Sequence, residues 1–506
     1  MLAKFSGFTL IGLSGERVEV EVDTASGLPS FDIVGLPDAS VKESKERVRS
    51  AIKNSGKRFP NHKITVNLAP ADLKKEGAGL DLPIALGIMK ASGQLAPKDI
   101  ADTVFIGELS LDGSIRGVTG ILPMLISARE KGFKNAIIPF VNAREGEYID
   151  GVCIKAAKTL KEICEYFEGT ANLLEVQKLS YNVISENVKY KDDIAYVKGQ
   201  YVAKRAMEVA VSGNHNIVLV GPPGAGKTML AKCVPSIMPD MSFEEALETT
   251  KIHSAAGKLS GDEGIVYMRP YVTPHHTASS VSIIGGGVSA KPGIISLAHN
   301  GVLFLDEMAE YPRSVLESLR QPLEDREITV SRAKATVKYP ASFMMVGSMN
   351  PCPCGYFGSK QGECKCSSSQ IIKYKSRVSG PLMDRMDIRI TVDSVKYEDL
   401  TSKINGETSE QVRKRVNRTR LIQRERFLGE DINCNAEMGE SHLNKYCKLS
   451  KECDSIMKQA FESLKLSARA RSRIIKVART IADMELSQDI EPKHLLEAIG
   501  YRSEEI

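Results

Sequence analysis

The sequence predicts an α/β fold built on a parallel sheet, because two short apolar runs are each followed by polar residues of a distinctive kind. The first run, 216–220, leads into a glycine-rich loop and then into helix-prone residues. The second run, Val302–Leu305, ends directly in Asp306 and Glu307. Open parallel sheets bind ligands at the carboxyl ends of their strands, so both motifs are expected at one edge of the sheet.

The glycine-rich loop has the spacing of a phosphate-binding loop, Gly-x-x-x-x-Gly-Lys-Thr. Its residues, all candidate nucleotide contacts, are Gly221, Pro222, Pro223, Gly224, Ala225, Gly226, Lys227 and Thr228. Backbone N–H groups of such a loop surround phosphate oxygens, the lysine adds a positive charge, and the threonine hydroxyl binds Mg²⁺. An ordinary strand-to-helix turn is the alternative, and the second motif argues against it.

The acidic pair supplies the other half of the expected site. Asp306 is predicted to hold Mg²⁺ together with Thr228, and Glu307 is predicted to orient and deprotonate the attacking water. The two motifs together predict binding and hydrolysis of a nucleoside triphosphate, with Mg²⁺ as cofactor.

Composition sets limits on the remaining functions. The chain has 506 residues and a net charge of +5, which permits nucleic acid as a partner without requiring it. No apolar run approaches the ~18 residues of a membrane span, and no signal peptide is expected, so we expect a cytoplasmic protein without membrane contact. Ten cysteines in such a protein favour metal binding over disulfides.

Periodicity divides the chain into four segments. We predict an independent α+β domain over 1–168 and a connector over 169–190. An α/β core follows over 191–395, and a helical region covers 396–506.

Long motifs carry a family resemblance over nearly the whole chain. They are GVLFLDE at 301–307, MNPCPCG at 349–355 and SGPLMDR at 379–385, together with the segment 198–228. With them the chain resembles the YifB/ComM family of magnesium-chelatase-like AAA+ ATPases. The resemblance implies an AAA+ P-loop NTPase module with a C-terminal helical lid, preceded by an α+β domain of the ribosomal S5 domain 2-like (Lon-protease-like) fold.

The resemblance also assigns three further site residues. Asn350 follows an apolar run and resembles sensor 1, which orients the water; a turn-forming Asn before proline is the alternative. Arg385 resembles the arginine finger that acts on a neighbouring subunit, with Arg377 as a rival, and a finger acting in trans implies a ring. Arg469 resembles sensor 2, which meets the phosphates of its own subunit, against the alternative of a solvated surface charge.

Two insertions resemble those of the magnesium-chelatase and MCM clade. The first covers 274–279 and the glycines 285–287. The second, 327–339, alternates like a hairpin around Arg332, Lys334 and Lys338, which are candidate DNA contacts in the pore of a ring. A charged, exposed hairpin remains the alternative. His275 and His276 lack a partner at ligand spacing and favour a structural role over metal binding.

Four cysteines form two Cys-x-Cys pairs in a loop rich in glycine and serine. Cys352, Cys354, Cys364 and Cys366 match the four-thiolate set of a structural Zn²⁺ site. Cys-x-x-Cys is the commoner half-site, so free thiols or a redox pair remain alternatives.

The N-terminal domain resembles the proteolytic domain of Lon without its catalytic dyad. Gly79 stands where that protease has its serine, and Met124 stands where it has its lysine. Binding of DNA or a partner, or support of ring assembly, is the expected role.

A basic helix over 412–427 leaves two interpretations open. Its apolar residues fall on one face and its arginines on the rest, which fits either a solvated surface or a nucleic-acid contact.

The function predicted from these features and from the resemblance is that of a Mg-ATP-dependent motor, a homo-hexameric translocase or helicase that acts on single-stranded or branched DNA. Within the family, ComM-like members imply branch migration during DNA uptake. A chelatase- or chaperone-like ATPase that remodels a protein partner is the alternative, and a nucleotide-gated scaffold would require an idle Glu307. Magnesium insertion into porphyrin is disfavoured, because only the ATPase portion of the chelatase is shared. The partner subunits of a chelatase cannot be inferred from one chain.

Overall fold

The computed structural model of the protein describes residues 2–97, 100–181, 190–259, 263–287, 290–332, 335–359, 362–395, 398–399 and 406–503, without the side chains of 332, 335 and 503. Two compact units contain these residues. One takes in Met1–Glu186 and Phe243–Tyr267, and the other takes in Asn187–Ser242 and Met268–Ile506. The predicted segment boundaries at 168, 190 and 395 remain predictions.

The strands are numbered along the chain. In the first unit they are β1 Leu2–Ile11, β2 Ser14–Ala25, β3 Ser30–Val34, β4 Lys63–Ala69, β5 Thr103–Phe105, β6 Glu108–Leu109, β7 Ile115–Arg116, β8 Asn135–Pro139, β9 Cys153–Ala157 and β10 Leu174–Glu175. In the second unit they are β11 Ile217–Val220, β12 Tyr271–Val272, β13 Gly285–Gly286, β14 Lys291–Pro292, β15 Val302–Leu305, β16 Glu327–Arg332, β17 Ala335–Pro340, β18 Met344–Met349 and β19 Ile388–Thr391.

Helices connect and cover these strands. Those of the first unit are Ala39–Asn54, Asp81–Ala91, Ile121–Glu130, Leu160–Glu168 and Phe243–Ala255, with 3₁₀ turns at Ala78–Leu80 and Phe140–Gly146. Those of the second are Tyr201–Gly213, Lys227–Ile237, Ser280–Ile284, Ile294–Leu297, Arg313–Ser318, Arg320–Asp325, Ser368–Lys375, Gly380–Met383, Ser409–Arg426, Glu440–Tyr446, Lys451–Ser463, Ala468–Met484 and Pro492–Ser503, with 3₁₀ turns at Ile194–Tyr196, Met308–Glu310 and Asn435–Glu437. Among the described residues, no helix combines the length and apolar character that crossing a bilayer requires.

The first unit is built on a mixed eight-stranded sheet in the order β10-β9-β8-β5-β1-β2-β4-β3. Strand β2 shows why it forms: Val18, Val20 and Val22 are fully buried, while Glu19 and Glu21 alternate with them and bond Lys4 on β1. This unit therefore has a core of its own under one face of the sheet.

The second unit confirms the predicted parallel sheet. Its five strands lie in the order β12-β15-β18-β11-β19, and every neighbouring pair is parallel. The strand order reverses at β11, which has β18 on one side and β19 on the other. Such a switch point opens a crevice at the carboxyl ends of the strands, where ligands bind.

The opposite, amino-terminal edge of this sheet is fixed by a buried polar cluster. The side chain of Asn216, just before β11, accepts from Met345 N–H at 2.8 Å, and the Asn216 N–H donates to Asp387 at 2.9 Å. Arg473, from the helix Ala468–Met484, forms an ion pair with Asp387. Burial alone would raise the pKa of Asp387, but Arg473 and His215 lower it well below its ordinary value.

The C-terminal helices pack into the core of the same unit. In the helix Ser409–Arg426, Val412, Val416 and Thr419 are buried, as the predicted apolar face requires. Its arginines are largely engaged within the chain: Arg415 pairs with two glutamates, and Arg426 pairs with Asp483. These contacts favour a structural role for this basic helix over nucleic-acid binding.

Candidate nucleotide-binding and hydrolysis site

The phosphate-binding loop, residues 221–228, leaves β11 at the switch point of the sheet. At its start, a side chain on Gly221 would lie 2.2 Å from the carbonyl oxygen of Val392, so the backbone can pass there only without a Cβ. Gly224 and Gly226 have φ of +76° and +88°, the left-handed region that favours glycine. The loop ends in the helix Lys227–Ile237, whose first backbone N–H groups are left for an anion.

Lys227 lies inside the curve of this loop. Its Nζ donates to the carbonyl oxygens of Gly221 at 2.6 Å and Pro222 at 2.9 Å, and to Oδ1 of Asn350 at 3.0 Å. Burial lowers the pKa of Lys227, and Asp306 and Glu307 partly offset that effect. The cation is thus held at the carboxyl edge of the sheet, beside the acidic pair.

Asp306 lies at the end of β15 and joins the two motifs. The Thr228 hydroxyl donates to Asp306 Oδ2 at 3.0 Å, and the Ser348 hydroxyl donates to Oδ1. A hydroxyl and a carboxylate side by side form the oxygen-rich set that Mg²⁺ prefers. The residues present therefore fit a Mg²⁺ ion.

Glu307 has an unusual backbone. Its φ of +52° is left-handed, a conformation that costs about 1–3 kcal/mol and is often retained at functional sites. The Glu307 N–H is bonded to Asp306 Oδ1 at 3.1 Å and to Ser348 Oγ at 3.3 Å, which holds this conformation. The side chain is exposed, so its carboxylate is available to a water molecule.

Asn350 follows β18, the strand beside both motif strands. Its side chain reaches Lys227, so the structure brings Asn350, Lys227, Thr228, Asp306 and Glu307 to one edge of the sheet. This arrangement can bind phosphates, hold a divalent cation and activate water. The catalytic roles themselves remain predictions.

Arg385 lies at the opposite side of the same sheet, where the amino ends of the strands are. It precedes β19, and its main chain is bonded to Asn216, which precedes β11. The guanidinium is 4% exposed; it pairs with Glu324 and donates to Pro381 O at 2.6 Å. Its Nε finds no acceptor among the described residues. Because β11 and β19 are parallel, Arg385 and the phosphate-binding loop lie at opposite ends of these strands.

Arg469 belongs to the same edge. It is exposed in the first turn of the helix Ala468–Met484, one turn before Arg473, which bonds the Arg385 carbonyl oxygen at 3.1 Å. Its charge helps to lower the pKa of Glu324, after the larger effect of Arg385. Arg469 thus lies near Arg385, and its role as sensor 2 remains a prediction.

The rival residue Arg377 lies on the catalytic side. Its guanidinium is half-exposed and forms a 2.7 Å ion pair with Glu310, three residues after Glu307. It therefore has a partner within its own subunit, close to the acidic motif.

The predicted hairpin is confirmed as a two-stranded antiparallel ribbon of β16 and β17, from the pair Glu327 and Pro340 to the pair Arg332 and Ala335. Lys338 is exposed and forms a 2.6 Å ion pair with Glu327. Lys334 lies outside the described residues, as does the side chain of Arg332. In the other insertion, the rings of His275 and His276 lie 4.2 Å apart, and His275 bonds Thr277, which fits the structural interpretation.

The four predicted cysteines converge. All four Sγ atoms lie within 4.8 Å of one another; Cys352 is 3.4 Å from Cys354 and 3.7 Å from Cys364. A tetrahedral ion with Zn–S bonds of ~2.3 Å separates its sulfurs by ~3.8 Å, so the set fits zinc. Backbone N–H groups of Tyr356 and Lys365 lower the pKa of Cys354 to about 6, which favours the thiolate that binds metal.

The positions that replace the Lon dyad are apolar. A side chain on Gly79 would meet Val118 and Ile106, and Met124 is buried against Gly15. The nearby Glu145 is buried, accepts from Leu122 N–H and from the Ser254 hydroxyl, and has a pKa raised by burial. These contacts give Glu145 a structural role in the first unit.

The sequence analysis missed two residues, Ser348 at the carboxyl ends of the strands and Glu324 beside Arg385. Ser348 bonds both Asp306 and the Glu307 N–H, and it could have been found because it precedes Asn350 by two positions along β18, on the same side of the strand. Glu324, the partner of Arg385, carries no local signal, since it is one acid among many in a short helix.

Comparison with known proteins covers nearly the whole chain. Residues 193–400 match the family described as magnesium chelatase, subunit ChlI; residues 20–142 match subunit ChlI of Mg-chelatase; and residues 406–502 match the subunit's C-terminal family. The chain is 41% identical to competence protein ComM of Haemophilus influenzae over 97% of its length and 96% of that protein. It is 40% identical to the uncharacterized protein YifB of Escherichia coli over 97% and 95%.

A shorter match involves a protease. The chain is 27% identical to Lon protease 2 of Bacillus subtilis over 165 residues, which make up 29% of each protein. This match is partial and does not reach the full length of either chain.

Proposed function

We propose, from the premise that this chain belongs to the YifB/ComM family of magnesium-chelatase-like AAA+ ATPases, that it is a hexameric Mg-ATP-driven motor that translocates on DNA. Membership of this family implies ATPase activity. The proposed role is branch migration during DNA uptake and recombination. The observation that carries the DNA part is the end-to-end similarity to a competence protein.

The geometry at the carboxyl edge supports a specific division of labour in hydrolysis. Lys227 exchanges its carbonyl partners for phosphate oxygens, whose negative charge makes them stronger acceptors of its hydrogen bonds. Thr228 and Asp306 would hold Mg²⁺, which neutralises phosphate charge when bound. Glu307 takes the proton of the attacking water, and Asn350 orients that water.

The arginines at the amino ends of the strands support a catalytic site that two neighbouring subunits share. Arg385 lies at the amino ends of the strands, with Arg469 one turn before the residue that bonds it, and the phosphate-binding loop lies at the carboxyl ends. This separation supports our assignment of both arginines to the nucleotide of an adjacent subunit. An arginine finger supplied in trans stabilises transition-state charge and can raise turnover by roughly 10³–10⁵-fold. Before it can act, Arg385 has to leave Glu324.

The ribbon of β16 and β17 is proposed as the DNA contact of the pore. Arg332, Lys334 and Lys338 would contact successive phosphates, and Lys338 is 66% exposed in its side chain. Each such contact adds a salt-dependent increment of affinity.

Three further assignments complete the proposal. Cys352, Cys354, Cys364 and Cys366 hold a structural Zn²⁺, which leaves no open coordination position for catalysis. The first unit contains an S5 domain 2-like fold that binds DNA or a partner, or supports assembly. The C-terminal helices act as the lid, with domains at 1–168, 191–395 and 396–506 around the connector 169–190.

The test is unwinding of forked DNA and of Holliday junctions by the purified protein with Mg-ATP. We expect strand displacement that requires hydrolysis, and single-stranded DNA that stimulates ATPase turnover. ATP hydrolysis without DNA binding, stimulation or unwinding would refute the DNA motor and favour the remodelling of a protein partner. Glu307→Gln serves as the control that lacks hydrolysis: any strand displacement by this variant would not depend on ATP turnover.

A further inference from the structure

The loop that carries Cys352, Cys354, Cys364 and Cys366, called the cysteine loop below, packs closely against the phosphate-binding loop. Gly355 follows Cys354 in a turn closed by its N–H to the Cys352 carbonyl oxygen at 3.0 Å. A Cβ at Gly355 would lie 2.5 Å from Cδ and 2.8 Å from Cγ of Pro223. The two loops therefore approach closely at this point.

The same loop contacts the proposed sensor from two sides. It begins two residues after Asn350, and a Cβ at Gly355 would lie 3.8 Å from Asn350 Cγ. On the other side of the cysteines, the helix Ser368–Lys375 carries the buried Tyr374; burial raises the pKa of its hydroxyl, and the Asn350 backbone N–H partly offsets that rise. Asn350 in turn accepts a hydrogen bond from Lys227. The cysteine loop is therefore linked to the phosphate-binding loop directly, through Pro223, and indirectly, through Asn350 and Lys227.

The tip of the phosphate-binding loop is open on one side. Gly224 and Gly226 have left-handed backbones, and side chains at both positions would find open space. Pro223, beside them, lies against the backbone of Gly355. Four thiolates around one ion would fix that backbone, because each ligand removes conformational freedom from the loop.

We propose that the four-cysteine loop is a positioning element for ATP binding: its metal-held turn at Gly355 supports Pro223, so that zinc occupancy and nucleotide affinity are coupled. The inference rests on the ATP and zinc sites of the proposed function. Coupling between two sites is reciprocal, so each ligand must stabilise the binding of the other.

A matched pair of substitutions tests the contact. Gly355→Ala adds a methyl group against Pro223, whereas Gly358→Ala, in the same loop, adds one where no heavy atom lies within 4 Å. Both glycines have positive φ, +84° and +72°, so both variants carry similar backbone strain. The measurements are zinc per chain, the Kd for a fluorescent ATP analogue without DNA, and the KM and kcat of hydrolysis.

We expect Gly355→Ala to raise Kd and KM by about 5- to 150-fold, the usual range of site-to-site coupling, with zinc content and kcat at saturating ATP close to wild type. Gly358→Ala should keep wild-type affinity. An unchanged Kd in Gly355→Ala, or an equal loss in Gly358→Ala, would overturn the proposal, because neither is expected from contact with Pro223.

A second measurement needs no substitution. In the wild-type protein, saturating ATP analogue should slow zinc release to a chromophoric chelator, and Lys227→Ala should abolish this protection. Equal release with and without nucleotide refutes the coupling. Both tests omit DNA, so failure of the DNA motor would leave their outcome unaffected, and a protein purified without zinc would refute the metal assignment itself.

Discussion

The opposite placement of Lys227 and Arg385 predicts that activity lost in two different variants returns when the variants are mixed. Lys227 follows the carboxyl end of β11, and Arg385 precedes the amino end of β19. These strands run parallel, with Ile217 beside Ile388 and Val220 beside Thr391, so a strand length of ~13 Å separates the two groups. Each proposed site therefore combines the loop of one subunit with the arginine of the next.

The magnitude follows from this geometry. Lys227→Ala leaves a subunit that can donate only its arginine, and Arg385→Ala leaves one that can donate only its phosphate-binding loop. In randomly assembled equimolar rings, about one interface in four joins an intact loop to an intact arginine, so ATPase turnover should recover to ~25% of wild type. Each variant alone should fall by roughly 10³-fold or more.

The assay is steady-state ATP hydrolysis after subunit exchange, with assembly checked by light scattering. A mixture no more active than the sum of its parts, although exchange is complete, would refute action in trans. Glu324→Gln provides a control, because it frees Arg385 without removing it and should leave complementation intact.

Three other predictions address hydrolysis, DNA contact and stability. Glu307→Gln should lower kcat by about 10²–10⁴-fold with little change in KM, as measured by steady-state kinetics. Glu310→Gln, in the adjoining turn, should retain most of the turnover. Equal kcat values for the two variants would contradict the proposed role of Glu307. Lys338→Ala should weaken single-stranded DNA binding and reduce the slope of log K against log salt by about 0.7, measured by fluorescence anisotropy, and an unchanged slope would remove Lys338 from the interface. Asp387→Asn should cost about 3–5 kcal/mol of unfolding free energy in urea, because the buried Asp387 is the charged partner of the partly buried Arg473; a loss below 1 kcal/mol would argue against that account.

Local pattern was sufficient to predict the elements that carry the site. Apolar runs predicted β11 and β15, and alternation predicted the ribbon of β16 and β17, because each signal lies within a few neighbouring residues. Spacing also predicted the four-cysteine cluster, since the chemistry of thiolates restricts what such a set can do.

Contacts between distant segments were beyond the same reasoning. Nothing near Arg385 indicates that Glu324 covers it, and nothing near Gly355 indicates that Pro223 lies against it. The position of Arg469 depends on how the C-terminal helix packs, and the ion pair of Arg473 with the buried Asp387 helps to fix that packing. Such pairings follow from tertiary packing, which a single sequence does not display.

With the proposed action of Arg385 in trans, the polarity of the parallel sheet gives each subunit one face that offers a loop and another that offers an arginine. Contacts of this head-to-tail kind leave an unmatched face at both ends of any open chain of subunits, and only closure matches them all. A row of such molecules thus always holds one incomplete catalytic centre, so closing the circle adds a working centre without adding a subunit.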